Sequence, residues 1–247
     1  MKNREKVSIV TVCYNSQETI QRTIESVLNQ TYDNIEYILV DGLSSDHTVK
    51  VAQSYELQFK EKGYDMTILS EKDNGIYDAM NKGIRIAHGE IVGLINSGDW
   101  YELEAVKRVV DTYDTTKFDM FYADLRIWKN GNAVIKHSKM RDYVTTRDWN
   151  HPTTFIRSSI YKEFQYKCRG IYDDWDLVLR IRNAGYKIVI LNEILANFVF
   201  GGASNQKSAS QAINRAKERY QIYRENGYSR FYILECIAME MFKYLWA

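Results

Sequence analysis

Short apolar runs of strand length alternate along this chain with stretches whose apolar residues recur every three or four positions. Residues 7–14 are apolar or β-branched almost throughout, which predicts a strand buried on both faces. Ser16 suits a helix N-cap, and Thr19, Ile20, Thr23, Ile24, Val27 and Leu28 trace the apolar stripe of a helix running to about residue 30. The alternation continues with strands over 37–40, 66–69, 91–95 and 119–123. Between them lie a helix capped by Asp46, a helix over 76–87 and one over 103–112. After residue 123 the pattern changes. Segments 125–128 and 133–136 flank Asn130-Gly131, which predicts a β-hairpin. Short strands are expected over 152–156, 187–191 and 194–200, a helix over 174–184, and a helical tail from about 208 interrupted near Asn226-Gly227.

Strand, helix, strand at this spacing predicts right-handed βαβ crossovers and a mostly parallel central sheet flanked by helices, an α/β fold. Parallel strands send their C-terminal ends to one rim, and four of those ends are polar or small: Tyr14-Asn15, Asp41-Gly42, Ser70-Glu71 and the run from Asn96 through Ser97 and Gly98 to Asp99. In that last run Gly98 keeps the backbone thin, and Asp99 offers a carboxylate where a divalent cation could bridge to a diphosphate. A β-turn leading into a helix rich in Glu102 and Glu104 would use the same residues. The first strand is followed by neither G-x-G-x-x-G nor a P-loop, which argues against dehydrogenases and NTPases.

Composition narrows the class. A length of 247 residues with a 45% hydrophobic fraction supports a sizeable core. A net charge of +1 gives no global field for nucleic acid. Cys13, Cys168 and Cys236 follow no metal spacing and suit reduced thiols, hence a cytoplasmic location. His47, His88 and His137 have no metal spacing either, and are expected at the surface. The polar opening, residues 1–6, does not look like a signal peptide, and no apolar run approaches the ~20 residues of a membrane span.

Several blocks, in order, resemble family 2 glycosyltransferases of the GT-A fold. They are Val7-Ser-Ile-Val-Thr-Val-Cys-Tyr-Asn-Ser16, Ser26-Val-Leu-Asn-Gln-Thr31, Val40-Asp-Gly-Leu-Ser-Ser-Asp46, Asp73-Asn-Gly-Ile-Tyr-Asp-Ala-Met-Asn-Lys-Gly83 and Asn96-Ser-Gly-Asp-Trp-Tyr101. His151-Pro-Thr-Thr-Phe155, Asp173-Asp-Trp-Asp-Leu-Val-Leu-Arg180 and Gly201-Gly-Ala-Ser204 follow. The set spans about the first four-fifths of the chain and looks most like the branch that builds bacterial O-antigen and capsule polysaccharides. The resemblance divides the chain into a GT-A domain over 1–205, with a nucleotide-sugar half (1–123) and an acceptor half (124–205), and a helical extension over 206–247.

The resemblance implies inverting transfer of a hexosyl or N-acetylhexosaminyl group from a nucleoside-diphosphate sugar, UDP-linked, to a hydroxyl of a polyprenyl-diphosphate-linked glycan. It implies Asp174 as the general base, with Asp176 as the alternative; three acids at 173, 174 and 176 would also suit a helix N-terminus. The family more usually has Glu where Asp173 stands. Its metal motif, commonly Asp-Ser-Asp-Asp, is here reduced to Asp99, which leaves Mn²⁺ or Mg²⁺ to one carboxylate, the diphosphate and water, or removes the metal requirement. Asp41 becomes the candidate for the base or ribose. Tyr14 and Asn15 either approach the nucleotide or, for Tyr14, face the core. Tyr77, Asp78 and Asn81 share one helical face, and Asn81 is carried as a nucleotide contact. His151 would orient the acceptor or phosphates, or be a satisfied loop histidine. Trp175, with Asp173, is placed at the acceptor side, and Gly201, Gly202 and Ser204 in an active-site loop.

The tail is rich in Lys207, Arg215, Lys217, Arg219, Arg224 and Arg230, followed by Phe231, Ile233, Leu234, Ile237 and Met241 at helical spacing. It suits peripheral contact with the inner face of the plasma membrane, or packing on the domain or in a homodimer. Two other classes compete: a non-catalytic nucleotide-sugar-binding subunit with a degenerate site, and a nucleotidyltransferase, which wants a basic Gly-rich loop that 14–18 does not supply.

Overall fold

β1 (Val7–Cys13) runs through the middle of the sheet with every residue buried, as its unbroken apolar and β-branched composition requires. The computed structural model describes residues 4–200 and 209–246. After β1 come α1 (Ile20–Leu28), β2 (Ile35–Asp41), α2 (Thr48–Gln53), α3 (Glu56–Glu61), β3 (Asp65–Ser70), α4 (Ile76–Ile86) and β4 (Ile91–Asn96). β5 (Trp100–Tyr101), α5 (Ala105–Thr116), β6 (Met120–Lys129), β7 (Asn132–Lys136), β8 (Phe155–Arg157) and α6 (Ser158–Glu163) follow. The chain continues with α7 (Asp173–Asn183), β9 (Ile188–Val199), α8 (Ala209–Glu225) and α9 (Tyr232–Trp246).

The strands form one sheet in the order β3-β2-β1-β4-β8-β6-β9-β5, with β7 on β6. β3, β2, β1 and β4 are mutually parallel, as the βαβ spacing predicts. β8 then runs antiparallel between β4 and β6, while β6 and β9 are parallel, so the second half of the sheet is mixed. α1, α2, α3 and α5 cover one face around Ile9, Ile24, Phe59 and Val109. α4, α6, α7 and the tail helices cover the other around Val10, Met80, Trp175 and Tyr223.

Departures from the expected elements have local causes. α1 begins at Ile20, not Ser16, because 14–19 is held across to the neighbouring loop. Ser16 N donates to Thr48 Oγ1 (2.7 Å) and Gln17 N to Asp46 Oδ2 (3.1 Å). The N-cap of α2 is His47, not the expected Asp46, which stands one residue earlier and accepts from Thr48 N at 2.9 Å. The fifth strand and the first hairpin arm are one strand, β6, so the expected division at 123 falls inside a continuous element. The last two strands are likewise one: Ala123 faces Leu191 while Asp124 faces Ile194, a bulge that absorbs Asn192 and Glu193. Residues 151–153 form a 3₁₀ turn opened by Pro152, which delays β8 to Phe155. β5 and α6 are too short to leave a periodic signal.

The tail is a helical pair packed on the domain. Tyr223 meets Trp175 edge-on at 6.2 Å, and Tyr232 Oη accepts from Val144 N at 3.1 Å. α9 is apolar on the outside. Glu235, Cys236 and Glu240 are buried, whereas Leu234, Ile237 and Met241 are exposed. Glu240 is offset by α8, whose Arg215 and Arg219 each pair with it at 2.7 Å, whereas Glu235 has no hydrogen-bond partner among the described residues and burial raises its pKa. No helix among the described residues is long and apolar enough to cross a membrane.

α4 lies close on the sheet because Gly83 crosses β1: a Cβ there would stand 2.3 Å from Val10 Cγ1. Gly83→Ala is therefore expected to lower stability by about 1–3 kcal/mol through overpacking. Urea unfolding checks it; an unchanged midpoint would contradict the packing described.

Candidate active site

The parallel register sets the rim: Val12 pairs with both Val40 and Asn96, so β1, β2 and β4 end level. A cleft of about 640 Å³ opens beside them, lined by Asn96, Ser97 and Asp99 from the β4 turn, Tyr77 from α4, His151 and Asp174. The β4 turn is built tightly. Gly98 has a φ of 96°, a left-handed conformation that explains glycine there. Thr23 Oγ1 accepts from Gly98 N (2.9 Å) and donates to the Asp99 carbonyl (2.7 Å). Arg22 stacks over Trp100 at 3.9 Å and donates to Gly98 O.

Asp99 is 5% exposed and accepts from Val199 N at 3.3 Å. Burial pushes its pKa up to about 7, against the pull of that N–H and of Arg22. Asn96 Oδ1, in the same cleft, is buried with no partner among the described residues. One carboxylate, an unpartnered amide oxygen and the Ser97 hydroxyl form a hard oxygen set that suits Mg²⁺ or Mn²⁺ once a diphosphate supplies further ligands. No group of three His, Cys, Asp or Glu among the described residues could hold a metal by itself.

α7 separates its three acids by direction. Asp173 turns back to accept from Arg169 N and Gly170 N, closing the preceding loop. Asp174 faces the cleft, where it accepts from Trp175 N at 2.7 Å, and burial raises its pKa to about 6. Asp176, two residues and about 200° further round the helix, is 0% exposed and points away. Burial alone would raise its pKa, but Asn226, Lys167 and Arg180 at 2.8–3.1 Å outweigh that and hold it below the usual range. Of the two candidate bases, only Asp174 borders the cleft. Trp175 is 1% exposed, wedged between Trp149 and Tyr223.

Other expected residues divide. Tyr14 is 63% exposed at the rim, so it does not face the core. Asn15, at a φ of 46°, accepts from Ser45 N at 2.9 Å and fixes the β1 and β2 loops together. Asp41 is fully buried, and its carboxylate accepts from Ser44 and from Ser70 Oγ (2.7 Å), so it shapes the β2 loop from within rather than presenting an oxygen to the rim. Asn81 is 6% exposed and makes a two-way pair with Tyr166, donating to its O at 2.8 Å and accepting from its N at 3.1 Å. It braces the loop before α7 and does not line the cleft; like Tyr77 on the same helix, it is buried. His151 Nε2 is buried without a partner among the described residues, and burial lowers its pKa to about 4. Gly201, Gly202 and Ser204 lie outside the described residues.

Sequence reasoning passed over Asp73. A Cβ on Gly42 would stand 2.5 Å from Asp73 Oδ2 and 3.4 Å from the Tyr14 ring, so the glycine leaves room for both side chains at the rim. The signal was present in the Asp73-Asn-Gly turn that opens α4.

Comparison with known proteins gives the family and the fold. The model for "Glycosyl transferase family 2" matches residues 8–174. The Escherichia coli protein WfaP, described as a UDP-Glc:alpha-D-GlcNAc-diphosphoundecaprenol beta-1,3-glucosyltransferase, is 31% identical over 69% of this chain and 61% of its own. The putative glycosyltransferase EpsH of Bacillus subtilis is 33% identical over 43% of this chain and 30% of its own. The chain thus spans less than two thirds of the length of these curated relatives. S. aureus TarS 1-349, solved with UDP-GlcNAc, superposes at a TM-score of 0.70 with 17% identity, covering 97% of this chain and 72% of that one. The mannosyltransferase PcManGT of Pyrobaculum calidifontis, solved with GDP-Man and Mn²⁺, does so at 0.70 with 16% identity, over 99% and 72%. These likenesses show the GT-A fold, and with a family match over most of its length the chain belongs to glycosyl transferase family 2.

Proposed function

We propose that this chain is an inverting glycosyltransferase that moves a sugar from a UDP-linked donor to a hydroxyl of a lipid-linked bacterial polysaccharide repeat unit. The observation that carries the reading is that Asp174 and Asp99, from distant parts of the chain, border the same cleft, and that burial leaves Asp174 with a pKa of about 6. Such a carboxylate is ionised at neutral pH yet basic enough to take a proton from an attacking hydroxyl. The hydroxyl oxygen bonds to the anomeric carbon as the bond to the diphosphate breaks; the proton passes to an Asp174 oxygen and the electron pair leaves with UDP. Attack opposite the leaving group inverts the anomeric centre. The uracil would lie against Tyr14 beside Asp73, and the diphosphate over Ser97 and Asn96. A divalent cation held by Asp99 and the diphosphate would neutralise the charge that develops on UDP. His151, kept neutral by burial, offers Nε2 as a hydrogen-bonding group to either substrate. Retention of Asp174 in the cleft favours this reading over a non-catalytic binding subunit.

The acceptor places the enzyme at a membrane. The outward face of α9, with Phe231, Leu234, Ile237 and Met241 exposed, is bordered by Arg230 and Arg147, which suits an anionic bilayer.

Asp174→Asn should cut kcat by at least about 10²-fold while leaving UDP affinity within about twofold, by sugar-transfer assay and calorimetry. In the parent enzyme kcat/KM should rise about tenfold per unit of pH below about 6 and level off above, since only the ionised carboxylate accepts a proton. Near-parent transfer by the variant would remove Asp174 from the base role. Asp99→Ala should abolish the gain in UDP affinity that Mn²⁺ confers; equal affinities with and without Mn²⁺ in both proteins would exclude a metal role for Asp99. Leu234→Glu with Ile237→Glu should release the protein from phosphatidylglycerol vesicles in co-sedimentation without changing its UDP affinity. Retention on the vesicles would move the contact elsewhere.

A further inference from the structure

A second cavity, of about 510 Å³, adjoins the first and shares His151, Pro152, Ile171, Asp174 and Phe198 with it. Anything bound there lies beside the carboxylate assigned as base. Its size is that of a small-molecule site, and its wall has two characters. Leu125, Ile127 and Met239 are apolar, and Met239 comes from α9, the helix with the outward apolar face. The polar side holds buried groups that lack partners among the described residues: Asn150 Oδ1, His151 Nε2, and Nε and Nη1 of Arg219. Buried polar atoms are nearly always satisfied, so several orphans around one cavity point to a ligand or to water that a ligand displaces.

Among the described residues the cavity wall carries three cations, Lys136, Arg147 and Arg219, against one carboxylate, Asp174. Lys136 is held there by the carbonyls of Thr146 and Trp149. Arg147 donates from Nε to Met239 Sδ, a weak acceptor, and the buried Glu235 carboxyl is the acid that feels its charge. Among the described residues Arg219 gives only Nη2, to Glu240 and Tyr172. An apolar wall beside cations fits an amphiphile with an anionic head, and guanidinium geometry suits phosphate oxygens.

We infer that this cavity receives the acceptor, with Arg147 binding its diphosphate and the wall formed by Leu125, Ile127 and Met239 taking the first units of its isoprenoid chain. The inference rests on the transferase reading above and assigns its second substrate a place. The tail helices α8 and α9 are then part of the acceptor site, since they supply Arg219 and Met239.

Farnesyl diphosphate is the probe, titrated calorimetrically into the full chain with UDP and Mn²⁺ saturating, so that the donor cleft is filled. Saturable binding is expected, with farnesol and inorganic diphosphate each at least about tenfold weaker, because each meets only half of the site. Arg147→Gln should weaken the probe about tenfold, the loss of one charge-assisted hydrogen bond. Ile127→Trp, which fills the cavity, should abolish binding, with UDP titration confirming that both variants are folded. Competition between the probe and UDP, or unchanged probe affinity in Arg147→Gln, would overturn the inference. Failure of the transferase reading shows separately: the probe would bind as described while no nucleotide sugar is turned over.

Discussion

The level ending of three parallel strands is the constraint from which the rest of the site follows. β1 is buried on both faces and pairs in register with β2 and β4, so Val12, Val40 and Asn96 reach the end of the sheet at one height. A one-residue slip would turn each apolar face outward, so the core fixes the register and the register fixes the rim. The loops beyond it are then tied sideways by Asn15 to Ser45, Ser16 to Thr48, and Thr23 to the Gly98-Asp99 turn. Several polar residues at the rim thus hold one another in place, and fewer are left to meet a ligand.

That division separates the two acids at the strand ends. Asp41 is fully buried, with Ser44 and Ser70 donating to it, and acts as a brace. Among the described residues Asp99 has only a backbone N–H on one oxygen and the charge of Arg22 nearby, and burial keeps its proton affinity high. α7 repeats the contrast. Asp176 is stabilised as an anion by Lys167, Arg180 and Asn226, whereas Asp174 lacks a cationic partner among the described residues and is raised by burial. Environment, not residue type, separates a structural carboxylate from a chemically poised one.

Much of this was legible in the sequence because the first half is periodic. Strands and helices through 123 fall within a few residues of their expected positions, and the polar strand ends were visible as abrupt breaks in apolar runs. The second half was harder to read for physical reasons. Bulged β9 breaks its own period, α6 is six residues long, and Pro152 replaces a strand start with a 3₁₀ turn. At the site, spacing placed Asp174 and Asp176 on one helix but could not say which faced the cleft, since that depends on Lys167 and Asn226 packing from elsewhere. Asn81 looked like a ligand contact because its pairing with Tyr166 is long-range, 85 positions away in sequence. α9 concealed its orientation too: its acids and its apolar residues alternate at helical spacing, and only the arginines of α8 decide which side turns inward.

The central claim is that Asp99 and Asp174 serve one donor bound in the cleft between β4 and α7. The most direct measurement is a crystal structure with UDP and Mn²⁺, with the metal located from its anomalous signal. The account predicts manganese between an Asp99 oxygen and the diphosphate, uracil beside Tyr14 and Asp73, and the Asp174 carboxylate open toward the position of the missing sugar. UDP bound outside this cleft, or manganese coordinated without Asp99, would contradict it.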